Sequence, residues 1–129
     1  MVHIAYRNIV FHGAVNYIFS KMVYQYPEGF YRLPRPSRIL FFYDEYCPYC
    51  GVMLCQLSTV ENLYVDAYNT RWDEGRKIFE KYAAKHKWAV PLTVISEDEV
   101  IVGYRDVEAV LTLLTKNINK PDRIYSPVV

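Results

Sequence analysis

Cysteine is scarce in this sequence, which contains only Cys47, Cys50 and Cys55 among 129 residues. Three cysteines are too few for a disulfide framework, and an odd number leaves at least one of them unpaired. A run of apolar residues long enough to cross a bilayer is also missing. The most apolar early stretch, residues 9–26, is interrupted by His12, Asn16, Ser20, Lys21 and Gln25.

The sequence does not open with a positively charged region followed by an apolar one, so no secretory signal is predicted. We therefore expect an intracellular, cytoplasmic protein, in which a close cysteine pair more often serves catalysis or metal binding than cross-linking. A net charge of +1 gives no reason to expect binding to nucleic acid or to a membrane. With 52% hydrophobic and 22% charged residues, the composition is that of one soluble globular domain.

The most informative segment is the stretch from Ile39 to Cys50. Residues 39–43 form a dense apolar run that is too short for a helix and suits a strand buried on both faces. Pro48 suits the first position of a helix, because its missing N–H would have no helical partner there. Cys47 is therefore predicted to lie just outside a helix N-terminus, where free N–H groups and the helix dipole favour an anion. A thiolate is such an anion, so thiol–disulfide exchange is the predicted chemistry.

The two cysteines of this segment are assigned different roles. Cys47 is the outer one and is the predicted nucleophile, while Cys50 lies one helical turn deeper, where it can attack a mixed disulfide formed on Cys47. Half of a zinc site and a chance pair are the competing interpretations; zinc needs four ligands, and Cys55 with three scattered histidines are the remaining candidates. Metal ligands are therefore not assigned. Cys55 is interpreted as a small core residue, with a regulatory thiol as the alternative.

Cys47-Pro48-Tyr49-Cys50 resembles the active-site tetrapeptide of glutaredoxins, and its flanks are similar to the wider thioredoxin superfamily. The pair Glu45-Tyr46 before the first cysteine is closer to thioredoxins. The resemblance covers about residues 39–118, and it implies an α/β, thioredoxin-like fold with a central mixed sheet and helices on both faces. We accordingly predict an N-terminal extension at 1–37, a core at 38–119 and an extended tail at 120–129.

The same resemblance assigns further site residues. A proline at the start of a later strand is cis in this superfamily and lies against the active-site disulfide, and Val90-Pro91 matches it. The backbone of Val90 would then pair with an extended substrate in the manner of an added strand. The stretch from Val102 to Asp106 is similar to the one with which glutaredoxins hold glutathione. It makes Gly103 and Asp106 candidate binding residues, although Asp106 is equally suited to a helix cap. Tyr46, beside Cys47, completes the predicted substrate-binding set.

Local patterns predict the order of the elements. The N-terminal segment is predicted to form an edge strand at 2–11, for which a helix is the alternative, then a helix at 14–24 and an extended connection at 25–37. An accessory hairpin or helix used for dimerisation is the alternative interpretation of this segment. After the motif helix, the predicted elements are a strand at 63–68, a helix from a capping box at 70–73 to about 85, strands at 92–95 and 100–102, and a last helix capped by Asp106 and reaching Ile118. A strand that follows a crossover helix is normally parallel to the one before it, and the pair at 92–102 is predicted to be an antiparallel hairpin.

Positive charge is absent from Ile39 through Thr70, and this departs from the glutaredoxin pattern of a basic residue just ahead of the motif. Asp44 and Glu45 occupy that place. Acidic neighbours oppose a thiolate and repel an anionic ligand such as glutathione. We therefore predict that Cys47 is less acidic than in a typical glutaredoxin, that the couple is reducing, and that any local cation comes from Arg71 or Arg105. Phe41 occupies the position of the buried acid of thioredoxins, so the proton of Cys50 must leave through water or another group.

The predicted function is that of an enzyme, a thiol–disulfide oxidoreductase acting through Cys47 and Cys50 on protein disulfides or glutathione mixed disulfides. No cofactor is expected to be required, with glutathione as a candidate co-substrate. The expected partners are protein disulfides and a thiol reductant or reductase, and the expected state is a monomer or weak homodimer. Two alternatives stay open: a module that binds an iron–sulfur cluster through Cys47 and glutathione, and a redox-inert interaction domain.

Overall fold

The structure is a computed structural model that describes residues 3–117. Its strands are β1 (His3–Tyr6), β2 (Ile9–His12), β3 (Arg32–Tyr43), β4 (Glu61–Asn69), β5 (Leu92–Ser96) and β6 (Glu99–Val102). Its helices are α1 (Asn16–Lys21), α2 (Pro48–Leu57), α3 (Asp73–Ala83) and α4 (Val107–Asn117). Within this part of the chain no helix is both long and apolar enough to span a membrane.

The six strands form one mixed sheet in the order β1-β2-β4-β3-β5-β6. The strands β2, β4 and β3 are parallel to one another, and the predicted antiparallel hairpin of β5 and β6 is confirmed. The expectation of a parallel strand after α3 is wrong, because β5 pairs with β3 in the antiparallel direction and places Leu92 opposite Phe42. The segment after α3 returns the chain to the end of the sheet at which β3 finishes, so β5 begins there.

Both faces of the sheet are covered, as an α/β chain with helices on two sides requires. Along β3, Ile39, Phe41 and Tyr43 belong to a core cluster shared with α1, α2 and α4. The alternate residues Leu40 and Phe42 belong to a second cluster against α3. All five side chains are fully buried, so the predicted strand with two covered faces is confirmed.

The N-terminal segment forms a hairpin, whereas the sequence predicted a single edge strand. Arg7 adopts a left-handed backbone conformation with φ of 55°, which reverses the chain between β1 and β2. The side-chain amide of Asn8 holds this turn by donating to the carbonyls of Leu57 and Leu63, at 3.0 and 2.7 Å. Since β2 pairs with β4, this segment is part of the central sheet.

Two connections differ from their predicted bounds. The predicted helix at 14–24 is present only as α1, with Ile18 buried, and the extended connection that follows ends where β3 begins at Arg32. β3 therefore contains both Pro34 and Pro36. Its pairing with β4 shifts register between Arg32 and Ser37, which accommodates residues that cannot donate to a regular ladder.

The two later helices begin differently. The predicted capping box at 70–73 is wrong: the N-cap of α3 is Trp72, and no side chain caps it. Thr70 instead continues the end of the sheet, where its N–H donates to the Tyr43 carbonyl at 2.9 Å. The predicted cap of α4 is confirmed, since the Asp106 carboxylate accepts from the Ala109 N–H at 3.0 Å. Ile118 and the predicted tail lie outside the described residues.

The absence of a side chain at Gly51 allows the end of α1 to pack against α2, and this packing can be tested by its effect on stability. A Cβ at this position would lie 2.6 Å from the Lys21 carbonyl oxygen and 3.0 Å from the Met22 nitrogen. Alanine is ordinarily about 1 kcal/mol better than glycine inside a helix. We expect Gly51→Ala to lower the free energy of unfolding instead, by about 1–3 kcal/mol, because the backbone of α1 must move.

The measurement is urea unfolding, with Gly29→Ala as the control. A Cβ at Gly29 would contact only the flexible Tyr31 ring, at 3.4 Å, so that variant should change stability little. A Gly51→Ala protein as stable as the wild type would contradict the packing of α1 on α2.

Candidate active site at the start of helix α2

Cys47 is the N-cap of α2, and Pro48 is the first helical residue as predicted. The backbone of Cys47 is extended, and its Sγ accepts a hydrogen bond from the Cys50 N–H at 3.2 Å. The N–H of Cys47 donates to the Asp44 carbonyl at 3.0 Å. The sulfur therefore occupies the place of an N-cap oxygen and faces the free N–H groups of the first turn.

The two sulfurs of the motif differ in their access to water. The Cys47 side chain is half-buried, whereas Cys50 is fully buried on the inner side of α2. All three cysteines are free thiols, and Cys55 lies in the core at 1% exposure, in agreement with its interpretation as a core residue. An incoming disulfide can thus reach Cys47 but not Cys50.

The pKa of the Cys47 thiol is lowered to about 7. The largest cause is its hydrogen bond with the Cys50 side chain; burial opposes the shift, the Cys50 and Tyr49 backbone N–H groups add to it, and the Asp44 charge opposes it. The pKa of Cys50 is raised, chiefly by burial and then by its hydrogen bond with Cys47. Near neutral pH about half of Cys47 is therefore thiolate while Cys50 stays protonated.

Arg71 supplies the cation expected near the motif, but it contacts an acidic neighbour of the thiol. Its Nε lies 3.0 Å from an Asp44 carboxylate oxygen, and its guanidinium lies over the Tyr46 ring at 5.0 Å. Asp44 is thus paired, which reduces the electrostatic penalty that the sequence predicted for this turn. Glu45 accepts from the Asn69 side-chain amide at 2.9 Å.

The peptide bond between Val90 and Pro91 is cis. Pro91 directly precedes β5, at the end of the sheet from which β3 leads into the Cys47 turn. Val90 packs against both core clusters, and Cys47 packs against the first of them. Within residues 3–117, no hydrogen bond engages the Val90 N–H or C=O. These backbone groups are free to pair with an extended chain.

Gly103 and Asp106 both follow β6, but they make different contacts. Gly103 has φ of 81°, and its N–H donates to the Pro91 carbonyl at 2.8 Å, so it adjoins the proline. Asp106 is engaged as the cap of α4. Between them, Tyr104 approaches Tyr49 of the motif at 5.9 Å between ring centroids. The segment is therefore next to the motif helix, and its carboxylate already has a structural role.

Tyr17, Tyr46, Tyr49 and Tyr104 form what we call the tyrosine rim of the site. Tyr17 of α1 packs on Tyr46 with ring centroids 4.6 Å apart, and Tyr49 packs on Tyr104. All four are exposed, from 37% for Tyr104 to 65% for Tyr49. Rigid, amphipathic rings beside a partly exposed thiol are suited to contacting a polypeptide.

Three residues of this region were missed by the sequence analysis: Tyr17, Asn69 and Tyr104. They come from α1, the end of β4 and the segment after β6, so no local spacing connects them to the motif. For the two tyrosines the sequence offered the count of thirteen tyrosines, which does not say where each one lies, and, for Tyr104, its place in the stretch from Val102 to Asp106. For Asn69 it offered no signal.

Comparisons of this chain with protein-family models, with curated proteins and with solved structures gave no match. Across residues 3–117, no group of three or more His, Cys, Asp or Glu side chains is arranged to hold a metal ion. The thiols of Cys47 and Cys50 are the candidate functional groups of this site.

Alkylation of Cys47 by iodoacetamide should follow its thiolate and reach half of its maximal rate near pH 7, falling as the pH decreases further. Cys50→Ala removes the hydrogen bond that contributes most to the lowered pKa, so the midpoint should move upward. Cys50→Ser keeps an O–H donor and should shift the midpoint less. A wild-type midpoint near the ordinary value of about 8.5 would contradict this account of the site.

Proposed function

We propose that this protein is a thiol–disulfide oxidoreductase of the thioredoxin/glutaredoxin type, acting by reversible dithiol/disulfide exchange through Cys47 and Cys50. The observation that carries the proposal is the pairing of a half-buried thiol of lowered pKa at the start of α2 with a buried thiol one turn deeper. Cys47 is the nucleophile, and Cys50 is the resolving residue.

The reaction balances without a cofactor. The Cys47 thiolate attacks one sulfur of a substrate disulfide; a Cys47–substrate bond forms, the substrate bond breaks, and the departing sulfur takes a proton from water. Cys50 then loses its proton to water and attacks the Cys47 sulfur, which releases the second substrate thiol. The substrate gains two electrons, and the protein keeps a Cys47–Cys50 disulfide that a thiol reductant or reductase returns to the dithiol.

The order of elements from β3 onward supports a thioredoxin-like fold for the predicted core, 38–119. A buried strand leads into the cysteine helix, a parallel strand and a helix on the opposite face follow, and a cis proline precedes an antiparallel hairpin and a last helix. The hairpin β1–β2 and α1, from the segment at 1–37, extend this arrangement on one side.

Protein disulfides are the proposed substrates in preference to glutathione mixed disulfides. The electrostatic reason is weaker than the sequence suggested, because Asp44 is paired with Arg71. The tyrosine rim gives a stronger reason, since its four exposed rings offer more contact to a polypeptide than to a tripeptide. The N–H and C=O of Val90, which have no hydrogen bond within residues 3–117, would pair with the extended backbone of such a substrate.

Reduction of insulin with dithiothreitol tests the activity. Cys47→Ser should abolish it, because no nucleophile remains, and Cys50→Ser should accumulate a mixed disulfide detectable by mass spectrometry. Cys55→Ala is the control and should retain activity, since Cys55 is buried in the core and has no part in the exchange step. Activity that survives Cys47→Ser would exclude the proposal. A brown protein bleached by air would favour the cluster-binding alternative.

The tyrosine rim predicts a difference between large and small substrates. Tyr17→Ala should lower kcat/KM for insulin between about twofold and tenfold, as expected for the loss of one aromatic contact. Turnover of 2-hydroxyethyl disulfide should stay unchanged, because that substrate is too small to span the rim. Tyr24→Ala is the matched control, since Tyr24 is 78% exposed and packs beside Tyr26 rather than in the rim. Equal losses on both substrates would contradict the rim as a protein-binding surface.

A further inference from the structure

The turn that carries Cys47 is fixed from outside the motif by Asn69, the last residue of β4. Asn69 is fully buried and pairs in register with Tyr43, the last residue of β3. Its amide nitrogen donates to the Glu45 carboxylate at 2.9 Å and to the Ala14 carbonyl at 3.2 Å. Its amide oxygen accepts from the Arg71 N–H at 2.9 Å. The Asn69 side chain therefore connects three segments: the N-terminal segment at Ala14, the motif turn at Glu45, and the segment before α3 at Arg71.

Two glycines leave the space that Asn69 occupies. A Cβ on Gly13 would lie 2.7 Å from the Asn69 Cβ, and a Cβ on Gly75 would overlap the Asn69 carbonyl oxygen. Gly13 also has φ of 121°, which disfavours a side chain there. Asn69 is thus packed directly against the backbone at Gly13 and at Gly75, and a side chain at either position would collide with it.

Arg71 continues this connection toward the thiol. It pairs with one oxygen of the Asp44 carboxylate at 3.0 Å, while the other oxygen accepts from the Tyr46 N–H at 2.9 Å. The Asp44 carbonyl accepts from the Cys47 N–H at 3.0 Å. A continuous set of hydrogen bonds thus runs from Asn69 through Arg71 and Asp44 to the backbone of Cys47.

We propose that Asn69 and Arg71 are positioning residues of the exchange reaction. Together they hold the turn at 44–46 so that Cys47 remains at the start of α2, and Arg71 screens the Asp44 carboxylate from the Cys47 sulfur. The inference rests on the proposed function, because positioning has a role only if Cys47 reacts. The charged or titratable groups at this turn include Asp44, Glu45, Cys50 and Arg71. Tyr43 lies within electrostatic reach of Glu45 and Cys50, the Tyr46 ring lies under the Arg71 guanidinium, and Lys21 lies over the Tyr17 ring that packs on Tyr46.

The direction of the expected effect follows from the charges. The Asp44 charge already opposes ionisation of Cys47. Without the Arg71 guanidinium this carboxylate is unscreened and a positive charge is lost, and both changes disfavour the thiolate. Arg71→Gln should therefore raise the midpoint of Cys47 alkylation by about half a pH unit, which slows alkylation about threefold below the midpoint.

The experiment is the pH profile of Cys47 alkylation for Arg71→Gln, Asp44→Asn and the double variant. Asp44→Asn keeps the oxygen that accepts from Tyr46 and should lower the midpoint. In its background, Arg71→Gln should have less than half of its original effect. The control is Arg76→Gln, an exposed arginine that pairs with Glu80 on α3, which should change nothing. An unchanged profile for Arg71→Gln, or an undiminished shift in the Asp44→Asn background, would overturn the role of Arg71.

The contribution of Asn69 is tested through its surface partner, which avoids a change in the core. Glu45→Gln and Glu45→Ala remove the same charge, but only glutamine keeps an oxygen that accepts from the Asn69 amide. If this hydrogen bond positions the turn, Glu45→Ala should have a higher alkylation midpoint than Glu45→Gln. Identical midpoints would overturn the role of Asn69.

Alkylation of Cys47 needs no catalytic turnover, so the experiments distinguish failure of the proposed function from failure of the positioning role. A protein that shows the expected midpoint shifts but does not reduce insulin would refute the proposed function and leave the positioning intact. A protein that reduces insulin but shows no shifts would refute the positioning alone.

Discussion

Burial of both faces of β3 is the constraint on which the rest of this structure depends. Because Ile39 to Tyr43 have no exposed surface, the strand must be central, with β4 on one side and β5 on the other. Its end is then the point at which the chain leaves the core. The turn that follows and the helix beginning at Pro48 bring Cys47 to the surface while Cys50 returns to the interior. The different surroundings of the two sulfurs follow from this geometry.

Hydrogen bonds are the main cause of the lowered pKa of Cys47. The Cys50 side chain makes the largest contribution, and backbone N–H groups of the first turn of α2 add to it. Burial and the Asp44 charge work in the opposite direction. The result is a thiol that ionises near neutral pH beside one that does not. Two neighbouring thiols whose pKa values are shifted in opposite directions are typical of sites in which chemically identical groups have different roles.

The N-terminal segment is part of the site as well as of the sheet. Its helix α1 lies close to α2 because Gly51 has no side chain, and this approach places Tyr17 against Tyr46. The Ala14 carbonyl accepts from both Tyr43 and Asn69, at 3.0 and 3.2 Å. The segment therefore contributes packing beneath the motif and an aromatic surface beside it.

The sequence by itself determined the features that depend on neighbouring residues. The apolar run at 39–43 indicated a buried strand, Pro48 indicated the start of a helix, and Asp106 indicated a cap, because each depends on backbone geometry within one turn or strand. The prediction of a capping box at 70–73 was wrong because the Thr70 N–H is bonded to the end of β3, a contact between distant residues that a local sequence pattern cannot show.

Only the tertiary structure decided the features that join distant parts of the chain. They include the reversal at Arg7, the antiparallel direction of β5 and the approach of Tyr17 to Tyr46. Asn69 had no signal in the sequence, since an asparagine at the end of a strand is ordinary until Gly13, Glu45 and Gly75 surround it. Hydrogen bonds between distant segments depend on packing that residue spacing does not encode. For that reason the sequence predicted the pair Cys47 and Cys50 at the start of a helix, and the fold decided what holds them in place.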